Sequence, residues 1–176
     1  MAADQSNRCI FLVDDEPIQN EMLKDYLSDR FQYKIKTYES GESAIKDLVS
    51  LNPAIMVLDF HLNSHLPNAQ NGVEVLKQVK AMNPSTQVIM LSGQDKLEVA
   101  VDSMKYGAYD YVVKGETAFS RTENIFNNIN ELRGLREANN SYKRVIGMLV
   151  VAMLAVIGFA FYLNYKMEVV YPSKPR

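Results

Sequence analysis

The chain has 176 residues and a formal net charge of −2, enough for one globular domain around a single core. Residues 1–122 carry 12 Lys/Arg against 17 Asp/Glu, and residues 123–176 carry 7 against 4; the globular part is acidic, has no basic face for nucleic-acid phosphates, and excludes nucleic acid as a partner class. The single cysteine, Cys9, excludes a disulfide within the chain and, lying in an apolar run, is expected to be a buried inert thiol.

Residues 1–7 read as a tail, with neither the basic start nor the apolar stretch of a signal peptide. From residue 8 to about 122, strand and helix signals alternate. Residues 9–13 form an apolar run that ends in Asp14-Asp15. Pro17 then opens an amphipathic stretch with Ile18, Met22, Leu23, Tyr26 and Leu27 at helical spacing. Residues 33–38 are the second strand. Ser40-Gly41-Glu42-Ser43 opens a helix carrying Ala44, Ile45, Leu48 and Val49, and Asn52-Pro53 ends it. The third run, Ile55-Met56-Val57-Leu58, ends in Asp59. Gly72 starts a helix with Val73, Val75, Leu76 and Val79, closed by Asn83-Pro84. Two Asn-Pro helix exits, each followed by an apolar strand, punctuate βα units. The fourth run, residues 88–91, ends in Ser92-Gly93. Leu97, Val99, Ala100, Val101 and Met104 follow, closed by Gly107. The fifth run, residues 109–113, ends in Lys114, and the last helix of this part starts near Thr117.

Strands alternating with helices imply a parallel sheet with right-handed crossovers. Near-continuous apolar runs at 10–13, 55–58 and 88–91 imply a sheet covered on both faces. The expected fold class is therefore α/β, a three-layer doubly wound domain with a five-stranded parallel sheet. Ligands of such sheets bind outside the carboxyl ends of the strands. Three carboxylates, a hydroxyl and an ammonium would converge there, a set suited to a divalent cation and a phosphoryl group.

Asp14, Asp15, Asp59, Ser92 and Lys114, in the segments LVDDEP, MVLDF, VIMLSG and YGAYDYVVK, resemble the receiver domain of bacterial response regulators, over about residues 8–130. The resemblance implies a flavodoxin-like fold and a phosphoacceptor at Asp59. It implies a Mg²⁺ site at Asp14, Asp15, Asp59 and the backbone carbonyl of His61. Ser92 and Lys114 would sense the phosphate, and Tyr111 would be the switch aromatic. The donor would be a histidine kinase or a histidine phosphotransfer protein. The chain itself is not expected to be an enzyme beyond self-dephosphorylation. Mg²⁺ takes oxygen ligands in near-octahedral geometry, and phosphoryl transfer needs mainly positioning and charge neutralisation, so the donor set suits the role.

Two features depart from the family pattern. The family places a glycine eight residues after the acceptor, whereas Asp59 to Gly72 is thirteen; the loop HLNSHLPNAQN is longer by five. Lys114 is followed by Gly115 where the family has a proline in cis. A cis non-proline bond costs about 2.5–4 kcal/mol, so a trans bond is expected here. His61 and His65 stand four apart beside Asp59 and read as solvated loop residues rather than transition-metal ligands. Aspartyl phosphatases carry a second acid two residues after the nucleophile; His61 at that place sets this class behind the others.

Ile125, Ile129, Leu132 and Leu135 form a helical stripe, read mostly as a core face, and residues 131–144 read as an exposed helical connector. Residues 145–163 (VIGMLVVAMLAVIGFAFYL) contain no charge. At about 1.5 Å per residue they match a hydrocarbon core of about 30 Å. They are expected to be a single transmembrane helix, with the receiver on the cytoplasmic side of a bacterial inner membrane and a short tail at 164–176. Output would then be contact with another protein. The alternative is a membrane-tethered interaction scaffold that works without phosphorylation.

Overall fold

Five strands alternate with five helices along the described residues of the computed structural model, which are 8–62, 70–93 and 97–170. The elements are β1 (Cys9–Val13), α1 (Pro17–Ser28), β2 (Lys34–Tyr38), α2 (Gly41–Leu51), β3 (Ile55–Asp59), α3 (Gly72–Met82), β4 (Gln87–Ser92), α4 (Leu97–Lys105), β5 (Asp110–Val113) and α5 (Ala118–Val170). The tail at 1–7, His65 with most of the long loop, and residues 171–176 of the C-terminal tail lie outside the described residues.

The strands form one parallel sheet in the order β2-β1-β3-β4-β5. The chain reverses its direction of progress between β1 and β3, and the carboxyl ends of those two strands flank the crevice where such sheets bind ligands. All five residues of β1 and of β3 are buried, as expected for central strands covered on both faces. On one face Phe11, Val13, Met56, Leu58, Val88 and Met90 pack with Ala44 and Leu48 of α2 and Val75, Leu76 and Val79 of α3. On the other, Ile10, Leu12, Val57, Ile89 and Leu91 pack with Leu23 and Leu27 of α1 and Phe126 and Ile129 of α5.

Local sequence sets the helix ends. Ser40 accepts a hydrogen bond from the Ser43 N–H at the start of α2, and Asn52 ends α2 with φ 43°, a left-handed conformation that asparagine tolerates. Asn71 and Glu74 form a reciprocal capping box at the start of α3.

Three apolar stripes are only partly buried. Ile18 and Met22 of α1 are exposed, while Leu23, Leu27 and the polar Asn20 are buried. Leu97, Val101 and Met104 of α4 are exposed, and the buried residue within α4 is Ser103. In α5, Ile125 and Ile129 enter the core but Leu132 and Leu135 do not. The chain divides into two compact units, residues 1–130 and 131–176. In the second, residues 131–144 are helical and largely exposed, and residues 145–163 are exposed all round. By length and composition that helix contains a stretch able to cross a membrane.

Candidate functional site

β1 and β3 end side by side, so their terminal carboxylates must meet. Asp14, Asp15 and Asp59 are all buried, and one oxygen from each lies within 4.8 Å of the others. Lys114 follows β5 directly and reaches back across the sheet end. Its Nζ is 2.7 Å from Asp14 Oδ2 and 3.1 Å from Asp59 Oδ1. Its own backbone N–H donates to the Ser92 carbonyl at 2.8 Å, which ties the ends of β4 and β5 together. Ser92 is fully buried as the last residue of β4.

Burial raises the Asp59 pKa above the ordinary carboxylate value; the Asp14 charge adds to the rise, and Lys114 opposes it. Burial disfavours the Lys114 ammonium, but its hydrogen bond to Asp14 and the charges of Asp59 and Asp14 outweigh this and raise its pKa. Asp14 Oδ1 accepts from the Glu16 N–H at 2.9 Å. Asp59 Oδ1 is buried and accepts no well-aligned hydrogen bond; Lys114 meets it as an ion pair. Three clustered carboxylates at one sheet end, with Lys114 between two of them, make a donor set that fits a hard divalent cation. Asp14, Asp15 and Asp59 can hold it.

Two more expected residues are present at this edge. His61 follows β3, and its backbone N–H hydrogen-bonds the Asp59 carboxyl and lowers its pKa slightly against the other effects. Tyr111 lies in β5, half-buried against the core on the α2–α3 face of the sheet. The Lys114–Gly115 peptide is trans, since the described residues contain no cis bond.

Asn20 is a residue that the sequence did not flag. It is buried in α1, and its Nδ2 donates to the Asp14 carbonyl at 2.9 Å and to the Tyr38 carbonyl at 3.0 Å. It thus pins the carboxyl ends of β1 and β2. The available signal was its spacing: Asn20 lies three and seven residues before Leu23 and Leu27, on the buried face.

The response regulator receiver domain family matches residues 10–124. The chain belongs to that family. Among receiver relatives, the chemotaxis protein CheY of Listeria monocytogenes is 31% identical over 105 residues, which are 60% of this chain and 84% of CheY. The nitrogen assimilation regulatory protein NtrX of Azorhizobium caulinodans is also 31% identical over 105 residues, but these are 22% of its length. The matched region is 43% of MalR of Bacillus subtilis. A CheY-like receiver from Methanospirillum hungatei superposes with a TM-score of 0.63 at 21% identity, covering 72% of this chain and 97% of its own. NtrX of Brucella abortus superposes with a TM-score of 0.63 at 26% identity, covering 76% and 28%. The receiver fold is thus shared, and receivers of two-component response regulators are phosphorylated on an aspartate.

Proposed function

We propose that the protein is a phosphoryl-accepting receiver modified on Asp59 in the presence of Mg²⁺. The observation that carries this reading is the buried Asp14–Asp15–Asp59 cluster bridged by Lys114. Asp14, Asp15, Asp59 and the backbone carbonyl of His61 would hold the metal. When bound, Mg²⁺ supplies positive charge that offsets the clustered carboxylates and polarises phosphoryl oxygens.

The side chains supply the rest. An Asp59 carboxylate oxygen attacks phosphorus and forms the aspartyl phosphate. The donor's bond to phosphorus breaks, P–N for a phosphohistidine or P–O for an acyl phosphate, and its electron pair leaves with the donor. Lys114, already between Asp14 and Asp59, pairs with the incoming phosphate oxygens. Ser92 donates its hydroxyl to another. Such transfer depends mainly on positioning and charge neutralisation, and each of these groups stands at a strand end that the sheet fixes. A structure of a Burkholderia pseudomallei response regulator, 20% identical with a TM-score of 0.60, contains a phosphorylated aspartic acid and a calcium ion, which supports the chemistry by analogy of fold.

The partner class is a histidine kinase or histidine phosphotransfer protein. Ser92 begins the loop into α4 and Lys114 ends β5, so phosphate that draws both inward acts on residues 92–130, with Tyr111 between them. Residues 145–163 tether the protein to the membrane, with the receiver in the cytoplasm, and output is a protein contact. The test is transfer from acetyl phosphate. Labelling that needs Mg²⁺ is expected; a chain that stays unlabelled with Mg²⁺ present is a scaffold instead.

A further inference from the structure

We infer that Gly72, the first residue of α3, is a positioning residue for the phosphoacceptor: its missing side chain lets the helix start lie directly on the Asp59–Phe60 peptide. This rests on the reading of Asp59 as acceptor. The contact is made by backbone on both sides. The Gly72 N–H donates to the Phe60 carbonyl at 2.9 Å, and the Phe60 N–H donates to the Leu91 carbonyl at 2.8 Å. A Cβ on Gly72 would stand inside van der Waals contact of the Asp59 carbonyl oxygen, 2.8 Å from the Phe60 Cα and 3.0 Å from the Asp59 carbonyl carbon. None of these atoms can rotate away. The Gly72 backbone is not left-handed, so space rather than conformation demands glycine here.

The helix cannot yield either. Val75, Leu76 and Val79 hold α3 in the fully buried core, and Asn71 and Glu74 close its first turn. A methyl at position 72 therefore displaces the end of β3, which carries Asp59 and His61. Constellations of this kind tolerate shifts of about 0.5 Å. Gly72 stands thirteen residues beyond Asp59 in the chain yet lies against the Asp59–Phe60 peptide.

Gly41→Ala provides a matched control. Gly41 is likewise the first residue of its helix, and its Cβ would meet the buried Val75 side chain rather than the backbone at the end of β3. Full-length wild type, Gly72→Ala and Gly41→Ala in detergent micelles are titrated with Mg²⁺ by calorimetry, and their backbone amide shifts are recorded without metal. We expect Gly72→Ala to weaken Mg²⁺ binding tenfold or more and to move the Phe60, His61 and Lys114 amides. Gly41→Ala should lower Tm while keeping affinity within twofold and those amides in place. Equal affinities and unmoved amides in Gly72→Ala overturn the assignment. A wild-type chain that binds no Mg²⁺ removes the metal reading alone, and the amide shifts then decide the positioning. If Gly72→Ala does not fold, it is measured with trimethylamine N-oxide as stabilising osmolyte; a chain still unfolded there places Gly72 in the stability of the fold rather than in the site, and also overturns the inference.

Discussion

Asp59 is a carboxylate where burial and a neighbouring carboxylate both oppose its charge. Asp59→Asn keeps the shape and removes one of three clustered charges. Without divalent ions the variant should melt higher than wild type. Millimolar Mg²⁺ should raise the wild-type Tm, as any ligand of the folded state does, and leave the variant nearly unchanged. A variant that melts lower than wild type, or responds equally to Mg²⁺, would count against a strained carboxylate cluster. Asn20 works through the backbone. Asn20→Ala strips the side-chain donor from the Asp14 carbonyl, while the Tyr38 carbonyl keeps the Asp14 N–H at 3.1 Å, and leaving a buried acceptor unmet costs about 1–3 kcal/mol. Urea unfolding with an unchanged m-value should show that loss; a loss under about 0.5 kcal/mol would mean that water replaces the amide. Asp14, Asp15, Asp59 and Lys114 were legible in the sequence because each interrupts an apolar run at its carboxyl end, where chain order alone fixes the place. Asn20 and Gly72 were not. Spacing put Asn20 on the buried face of α1 and Gly72 at a helix start, but their partners are backbone atoms brought close by tertiary packing, and no local pattern records those contacts.

At the scale of elements, periodicity located the helices and strands of the receiver, because β1, β3 and β4 contain near-continuous apolar runs and Asn-Pro and Gly signals mark helix ends. It did not locate the burial of each stripe. Ile125, Ile129, Leu132 and Leu135 share one spacing along α5, yet Ile129 is 2% exposed and Leu132 is 46% exposed. Ile129 belongs to the core cluster of the first compact unit, which ends at residue 130, and the spacing along the helix does not mark that boundary. Ile129→Ala should therefore cost about 2–5 kcal/mol in receiver stability, and Leu132→Ala should stay within about 0.5 kcal/mol. Similar losses would show that the core extends further along α5. The same lesson holds for α4, whose apolar Leu97, Val101 and Met104 stand in solvent because the helix turns Ser103 inward.

For the whole molecule, the family relationship covers residues 10–124, and the remaining part of α5 needs its own account. A helix apolar on all sides is stable where apolar surroundings cover it, and residues 145–163 are exposed all round. The full chain should fractionate with membranes and resist carbonate extraction, whereas a chain ending near Ser141 should be soluble and keep its Mg²⁺ response. Release by carbonate would make the attachment peripheral. The destination of the phosphoryl group decides the function of Asp59. Wild type and Asp59→Asn are incubated with acetyl phosphate, with Mg²⁺ or with a chelator, and read by intact-mass spectrometry and peptide mapping. One phosphoryl group should appear on wild type with Mg²⁺, mapping to Asp59, and none on the variant or under chelation. A phosphoryl group that persists on Asp59→Asn, or forms equally without the metal, would contradict it.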